Sequence, residues 1–474
     1  MFDDCIGRHA AAIPERTAIL WKGGKVSFAK FEADIGRAAY ELRDLQVAAG
    51  ESVAVALRNT YLEWVAVMAL ARLGIASAPA ADTQSRYTIS DRIENRAGQS
   101  VLMVDEAWTT GVLEGPDRAV PRVAVDPDAL GRVFRTSGTT AAPKRVGMSW
   151  RAIDAMIAGS AEAYGQTSGP WYLTTGPHTS FEFDLALTAW RCGHTVATGM
   201  AAIPDNILAI RPSLLALLPV HIGFLLDSLP AGLSKWPLRI VTAGAPMPDR
   251  LARETIARLT ADLVIQYGST ETAGVASAPW QVMAGVRGAA GVLRPGCYAR
   301  ALDERGRPLP PGANGRLSFR TNQLADGYLG DPALTAEQFQ GGWFVSNDFG
   351  HVRQDGLLVI EGRIDDVMNL GGHKTMPAII EDALSTYPGI GEVVAFAIPT
   401  QSGLDSCGLA IVRDADFDPS GLRKALGRRL SPLQTIRWFV CDAIPRNERG
   451  KVDRNRLRAS LLGEAGEGRK LAAP

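Results

Sequence analysis

Short apolar runs alternate with helix-patterned segments through the first half of this chain, and that alternation constrains the fold more than any other feature. Ser27 is placed to cap a helix whose apolar positions Phe28, Phe31, Ile35, Ala38, Ala39, Leu42 and Leu45 share one face. The run Val53-Ala54-Val55-Ala56-Leu57 follows. A second helix carrying Leu62, Val65, Ala66, Met68 and Leu70 then leads to Ile75-Ala76-Ser77-Ala78. Strands apolar on both faces and joined through helices belong to covered parallel sheets. Val101-Leu102-Met103-Val104 and Arg132-Val133-Phe134-Arg135 continue the pattern. It repeats between about 150 and 274, with helices near 152–163 and 183–192 and an apolar helix through Phe224-Leu225-Leu226. The strands there are Trp171-Tyr172-Leu173, Thr195-Val196-Ala197, Leu238-Arg239-Ile240-Val241 and Asp262-Leu263-Val264-Ile265.

From 285 to 364 the texture changes. Gly291, Pro295, Gly296, Pro308, Pro310, Pro311, Gly312 and Gly315 punctuate short alternating runs such as Arg316-Leu317-Ser318-Phe319, which predicts a small β-rich lobe. Beyond it come a helix near 378–387, strands at Val393-Val394-Ala395-Phe396 and Leu409-Ala410-Ile411-Val412, a helix at 422–430, and the strand Ile436-Arg437-Trp438-Phe439-Val440. That is enough α+β material for a domain of its own. The expected organisation is α/β. A large N-terminal domain of parallel sheets flanked by helices, 1–364, includes the β-rich lobe. An α+β C-terminal domain, 365–462, follows, and a polar tail, 463–474, is expected to be disordered.

Composition excludes several classes. Lys plus Arg and Asp plus Glu each number 50, so no basic excess argues for nucleic acid or an anionic membrane surface. The five cysteines are scattered without a Cys-x-x-Cys pair, and the six histidines are equally dispersed, which points to a reducing compartment and to no zinc site. The start, Met1-Phe2-Asp3-Asp4, is acidic where a signal peptide is basic. The apolar stretch 214–226 is broken by Pro219, His221 and Gly223 and is too short to span a bilayer. A cytoplasmic protein without a membrane span is expected.

The most chemically suggestive stretch is Thr136-Ser137-Gly138-Thr139-Thr140-Ala141-Ala142-Pro143-Lys144, directly after the run Arg132–Arg135. Hydroxyls, backbone N–H groups and a glycine wrap phosphate oxygens closely, and a lysine adds a point charge. A Ser/Thr-rich surface turn has the same composition. A Walker loop is excluded, because Pro143 precedes the lysine and Arg145 follows it. The loop leaves the carboxyl end of a predicted strand, where open α/β sheets bind ligands.

Four further segments accompany it. They are Tyr267-Gly268-Ser269-Thr270-Glu271, Ser346-Asn347-Asp348 with Asp355-Gly356, Gly362-Arg363-Ile364-Asp365-Asp366, and Pro445-Arg446-Asn447-Glu448-Arg449-Gly450-Lys451. In identity, order and spacing the five resemble the adenylate-forming superfamily of acyl-CoA synthetases, amino-acid-adenylating domains and luciferases. The resemblance covers about residues 10–460 and lies nearest the acyl-CoA synthetase branch.

The resemblance implies a two-step ligase. A carboxylate attacks the α-phosphate of ATP to give an acyl-adenylate and pyrophosphate, and a thiol then displaces AMP. It assigns Thr136, Ser137, Gly138, Thr139, Thr140 and Lys144 to the phosphate loop, with Ala141 and Arg145 standing where glycines are usual. Tyr267 is the residue stacking on adenine, although simple core packing would also account for an aromatic there. Thr270 is a hydroxyl near the α-phosphate, Glu271 the Mg²⁺ ligand, and Gly244-Ala245-Pro246 the turn along adenine's other face. Asp348 is expected to bind the ribose hydroxyls, with Asn347 replacing a usual glycine, and Arg363 to contact ribose and phosphate.

Asp365 matches the hinge about which the C-terminal domain moves between half-reactions, and Gly371 and Gly372 match the wall of the thiol tunnel. Lys451 matches the lysine that bridges carboxylate and α-phosphate oxygens. His178 matches an aromatic gate near the carboxylate by its spacing to Gly193, and a core or surface histidine is the other reading. Phe181, Asp184 and Gly268 are the expected acyl-pocket residues, with Asp184 or Glu182 a partner for a hydroxyl or distal amine. The amino-acid-activating branch has an Asp thirteen positions before the glycine aligned with Gly193; that position is Ser180, so the α-amine anchor is missing.

The expected function is an acid–CoA ligase using ATP, Mg²⁺ and coenzyme A on a small carboxylic acid. The alternatives are an acyl-carrier-protein ligase that loads a separate phosphopantetheine and a non-catalytic adenylate-binding module.

Overall fold

The computed structural model describes residues 4–92, 98–136, 143–174, 176–200, 204–230, 232–370, 373–385, 387–399, 405–414, 416–422, 436–446 and 452–463. Ser137, Gly138, Thr139, Thr140, Gly371, Gly372 and Lys451 lie outside these residues, as do most of the helix expected at 422–430 and the tail beyond Gly463.

The first helix of the alternation forms as its pattern requires. Ser27 accepts a hydrogen bond from Lys30 N and caps the helix Phe28–Leu42, whose Phe28, Phe31, Ile35, Ala38, Ala39 and Leu42 are fully buried. The helix Thr60–Arg72, capped by Asn59, is buried nearly all round. It feeds a seven-stranded sheet in which Ser52–Ala56 runs parallel to Ala76–Pro79 and to Tyr87–Ser90. Leu130–Arg135 lies beyond Ala76–Pro79, and Arg145–Ser149 pairs antiparallel with it. The hydroxyl-rich segment therefore connects two antiparallel strands, where a strand-to-helix connection is the usual α/β arrangement.

The second half of the alternation builds the parallel core of a fourteen-stranded sheet. Val196–Ala197, Trp171–Tyr172, Leu214–Leu217, Arg239–Thr242 and Asp262–Ser269 are consecutive parallel neighbours. The expectation of parallel sheets is corrected here. Both large sheets are mixed, and the strands after Ser269 pair antiparallel onto the same sheet through Ala273–Pro279 and Ala289–Leu293 to Leu357–Arg363 and Trp343–Val352. The reason lies in the connections: a parallel neighbour needs a long crossover, whereas the tight turn between Ser269 and Ala273 permits only a hairpin.

After the 3₁₀ turn Ile364–Asp366, a second unit forms. Ile390–Ile398, Ser406–Arg413 and Ile436–Val440 make a three-stranded sheet under the helix Pro377–Ser385, with apolar clusters distinct from the main core. Arg454 ties its last helix to it, donating to Glu381 Oε1 (2.7 Å) and Ala395 O (3.1 Å), with Asp366 at 3.5 Å. Among the described residues no helix is long and apolar enough to cross a membrane.

Candidate active site

The end of the strand Asp262–Ser269 and the turn after it, Tyr267–Glu271, gather most of the describable candidates. Tyr267 lies near the end of the strand Asp262–Ser269, half-buried, its ring 5.7 Å from that of Phe319. Its hydroxyl donates to Asp348 Oδ2 at 2.5 Å. Burial, and then the Asp348 carboxylate, push the phenol's pKa well up, so it stays protonated and donating. Asp348 in turn stands opposite Arg363 in the antiparallel pair Trp343–Val352 with Leu357–Arg363. Ser346 fixes that strand by accepting from Asp348 N (3.1 Å) and donating to Leu317 O (2.9 Å).

Arg363 donates to Asp365 Oδ2 at 3.2 Å, and Asn347 Nδ2 donates to the same oxygen at 2.9 Å. Arg316 holds Asn347 Oδ1 at 2.9 Å. The residue at the usual glycine position is thus a tether for Asp365. Left-handed tolerance plays no part, because positive φ among the described non-glycine residues occurs only at Arg211 and Ala273.

Glu271 forms a second cluster. The Tyr328 hydroxyl is 2.9 Å from Glu271 Oε1 and 2.6 Å from Gln338 Oε1, and all three side chains are buried. Lys144 Nζ sits 4.8 Å above the Tyr328 ring, a cation–π distance. Thr136 and Lys144 meet at the neck of the hydroxyl-rich segment, with Thr136 N donating to Lys144 O at 3.0 Å. Arg145 is engaged elsewhere: it pairs with the buried Asp82 at 2.9 Å. A structural ion pair thus accounts for the arginine in place of the second usual glycine.

Thr270 is half-buried at the strand end. Gly268 lies at a register shift where a Cβ would fall 1.9 Å from Ala273 O, so no side chain fits. Gly244 turns at φ +86, followed by the half-buried Ala245 and the exposed Pro246 after the strand Arg239–Thr242.

The expected acyl-pocket acids are engaged with the protein itself. Asp184, fully buried, accepts from Ser160 Oγ (2.6 Å) and Thr188 Oγ1 (3.2 Å); burial pushes its carboxyl up to about 6. Glu182 Oε1 takes the N–H and hydroxyl of Thr174 at 3.0 and 2.8 Å. Both acids are thus held by hydrogen bonds within the protein. Phe181 is half-buried against the main core. His178 precedes the helix Ser180–Arg191 and is 3.5 Å from Glu63.

The geometry suits a nucleotide and a metal. Glu271 offers one oriented hard oxygen, and among the described residues no group of three or more His, Cys, Asp or Glu could hold a metal. A single carboxylate supplemented by phosphate oxygens and water is the usual setting for Mg²⁺. Tyr328, Gln338, Arg132 and Glu63 were missed in the sequence. The signals for Tyr328, Arg132 and Glu63 were an aromatic in the glycine-flanked Gly327-Tyr328-Leu329-Gly330 and charges inside an apolar strand and an apolar helix; Gln338 gave none.

A model of the family described as AMP-binding enzyme matches residues 6–329. The chain is 28% identical over 495 residues to indoleacetate–CoA ligase of Aromatoleum aromaticum, covering 96% of each protein. It is 24% identical over 510 residues to the fatty acid–[acyl-carrier-protein] ligase ScoC of Streptomyces coeruleorubidus, again 96% of each. It also matches the probable non-canonical nonribosomal peptide synthetase CymA of Salinispora arenicola at 28% identity, spanning 6% of that protein's length. Its fold superposes on the crystal structure of ATP-bound MatB from Rhodopseudomonas palustris with a TM-score of 0.85 at 25% identity, covering 97% of this chain and 99% of that one. With the family model spanning more than half of its length, the chain belongs to the AMP-binding enzyme family and is a family member of the AMP-forming acid–thiol ligases.

Proposed function

We propose that this enzyme converts a small carboxylic acid to its CoA thioester through an acyl-adenylate. The observation that carries the reading is the bond of Tyr267 to Asp348, opposite Arg363, on the large sheet, with Glu271 just beyond the Tyr267 strand meeting Tyr328 and, through its ring, Lys144 from the seven-stranded sheet. A stacking ring, a diol acceptor and two cations flanking a metal-type carboxylate are what a nucleoside triphosphate requires. In the first half-reaction a carboxylate oxygen bonds to the α-phosphorus as pyrophosphate leaves. In the second, a thiol sulfur bonds to the acyl carbon, AMP leaves with the bonding pair, and the thiol proton passes to solvent.

In this reading Tyr267 packs against adenine, Asp348 accepts from the ribose, and Arg363 and Lys144 offset phosphate charge. Magnesium held at Glu271 would supply charge neutralisation of the phosphates. Asp365, tethered by Arg363 and Asn347, is the proposed pivot of the C-terminal unit. Gly371 and Gly372 are proposed to let a pantetheine arm approach. Similarity to indoleacetate–CoA ligase supports CoA as acceptor, and similarity to ScoC supports a carrier protein as the second reading. The test supplies ATP, a panel of aryl and alkyl acids, and either CoA or a phosphopantetheinylated carrier protein. AMP and thioester formed with CoA support the first reading, and thioester formed only on the carrier protein replaces it. Absence of acid-dependent pyrophosphate exchange across the panel overturns both.

A further prediction concerns Tyr328. Its hydroxyl and Lys144 above its ring connect the phosphate-loop strand pair to Glu271. Partners that orient a metal-binding carboxylate typically contribute about tenfold or more to metal affinity. Tyr328→Phe is expected to raise the Mg²⁺ concentration for half-maximal exchange by about tenfold, with the rate at saturating Mg²⁺ near that of the parent. A magnesium titration checks it, and an unchanged midpoint contradicts it.

A further inference from the structure

A cluster of charged side chains lies outside all five nucleotide-associated segments. Arg132 is 1% exposed, on the strand Leu130–Arg135 that leads into Thr136. Its guanidinium donates to Ser77 Oγ at 2.7 Å and to the carbonyl of Pro177. It sits 4.3 Å from the Phe183 ring centroid and 5.2 Å from that of Phe134, and its Nε is buried without a hydrogen-bond partner. A guanidinium is costly to bury, so a strand needing only core packing would carry an aliphatic residue there. Glu63 lies inside the buried helix Thr60–Arg72, its side chain 3% exposed, and its Oε2 is 3.5 Å from His178 Nε2. The His178 side chain is 42% exposed.

These contacts converge on one short connection. Thr174 is bound by Glu182, Gly176 turns back at φ +74 over Thr60 and Glu63, and the Pro177 carbonyl is clamped by Arg132. His178 Nε2 lies 3.5 Å from Glu63 Oε2, and Thr179 caps the following helix by accepting from Glu182 N at 3.2 Å. The backbone is thus fixed from several sides while one imidazole edge faces outward.

We propose that Glu63 and Arg132 are positioning residues for acid binding: Arg132 fixes the Pro177 carbonyl to the phosphate-loop strand, and Glu63 sets the orientation of the His178 ring. The inference rests on the reading of His178 as the gate beside the substrate carboxylate. Burial pushes the Glu63 carboxyl up to about 8, opposed by Arg132 and aided by Asp91. Burial, and then the charge of Arg132, push the imidazole down. The ring is thereby kept uncharged, with Nε2 3.5 Å from Glu63 Oε2.

The test is a double-mutant cycle of Glu63→Gln, His178→Asn and both, with Arg132→Lys alongside and thermal melts to confirm folding. In protein labelled with ¹³C-histidine, the resonance lost in His178→Asn belongs to that ring. Glu63→Gln is expected to shift that resonance and its titration while the other histidine signals stay in place. In ATP–pyrophosphate exchange with indoleacetate, benzoate and octanoate as probes, Glu63→Gln is expected to raise the acid KM about tenfold with the ATP KM unchanged. Arg132→Lys should do the same to a smaller degree. In the His178→Asn background, Glu63→Gln should have no further effect.

An unmoved His178 resonance in Glu63→Gln overturns the inference and needs no active acid to be found. So does an equal KM effect of Glu63→Gln in both backgrounds. If His178→Asn leaves the acid KM unchanged, the gate reading itself fails, whatever the resonance does.

Discussion

Lys451→Ala is expected to lower acid-dependent ATP–pyrophosphate exchange by about a hundredfold or more, the usual consequence of deleting one preorganised charge that meets a developing oxyanion. Thiolysis of a supplied acyl-adenylate is expected to stay within about threefold of the parent, because no phosphoryl bond is made in that step. The asymmetry is the informative part. A carboxylate approaching a phosphate brings two anions together, and a lysine between them stabilises the transition state more than either reactant. Once the adenylate exists, that task is finished. The lysine and residues 447–450 before it lie outside the described residues, but the residues on either side of that stretch do not. Arg446 and Val452 pair as an antiparallel bridge, and Asp453 N donates to Pro445 O at 2.9 Å. Lys451→Arg, which keeps the charge but changes its shape, should recover only part of the rate. Single-turnover assays of each half-reaction check the result. Equal loss in both would mean that Lys451 maintains the fold of the C-terminal unit and has no specific part in adenylation.

Much of this fold could be read from the sequence, and where the reading failed the cause is physical. Hydrophobic periodicity located the helices Phe28–Leu42 and Thr60–Arg72 and the parallel strands because each buries a patterned face whatever its neighbours are. Periodicity carries no information on strand direction, so the antiparallel continuation of the large sheet beyond Ser269 could not be read. The strand Leu214–Leu217 was not read, since a continuous apolar run suits either a strand or the helix after it. Among the residues proposed for the site, those in short motifs of unusual composition, such as Tyr267, Glu271 and Asp348, were legible as candidates. Glu63, Arg132 and Tyr328 were not, because each acts through a partner far away in the chain. Glu63 meets His178, and Tyr328 meets Glu271. Asn347 was noticed as a departure and explained by backbone tolerance; its actual contact is a hydrogen bond to Asp365.

Asp348→Asn is expected to lower kcat/KM for ATP by about a hundredfold, mainly through KM, if the carboxylate binds a diol, since each hydrogen bond to a charged group contributes roughly 1.5–3 kcal/mol. The substitution is isosteric, so the strand pairing with Leu357–Arg363 and the bond from Asp348 N to Ser346 should persist. Two things change. The acceptor loses its charge and one of its two oxygens, and Arg363 loses the carboxylate opposite it. Burial lowers the proton affinity of Arg363, but Asp348 and then Asp365 and Asp366 hold it above the ordinary arginine value, so this cation stays charged with or without Asp348. The loss therefore falls on nucleotide affinity more than on folding, and the melting temperature should drop by only a few degrees for about 1 kcal/mol. Tyr267→Phe separates direct from indirect action. It removes the 2.5 Å bond to Asp348 but keeps the ring, so an effect below about tenfold is expected there. If Tyr267→Phe matches the loss in Asp348→Asn, the carboxylate serves only to hold the tyrosine. If Asp348→Asn binds ATP as tightly as the parent, the nucleotide does not lie along these strand ends.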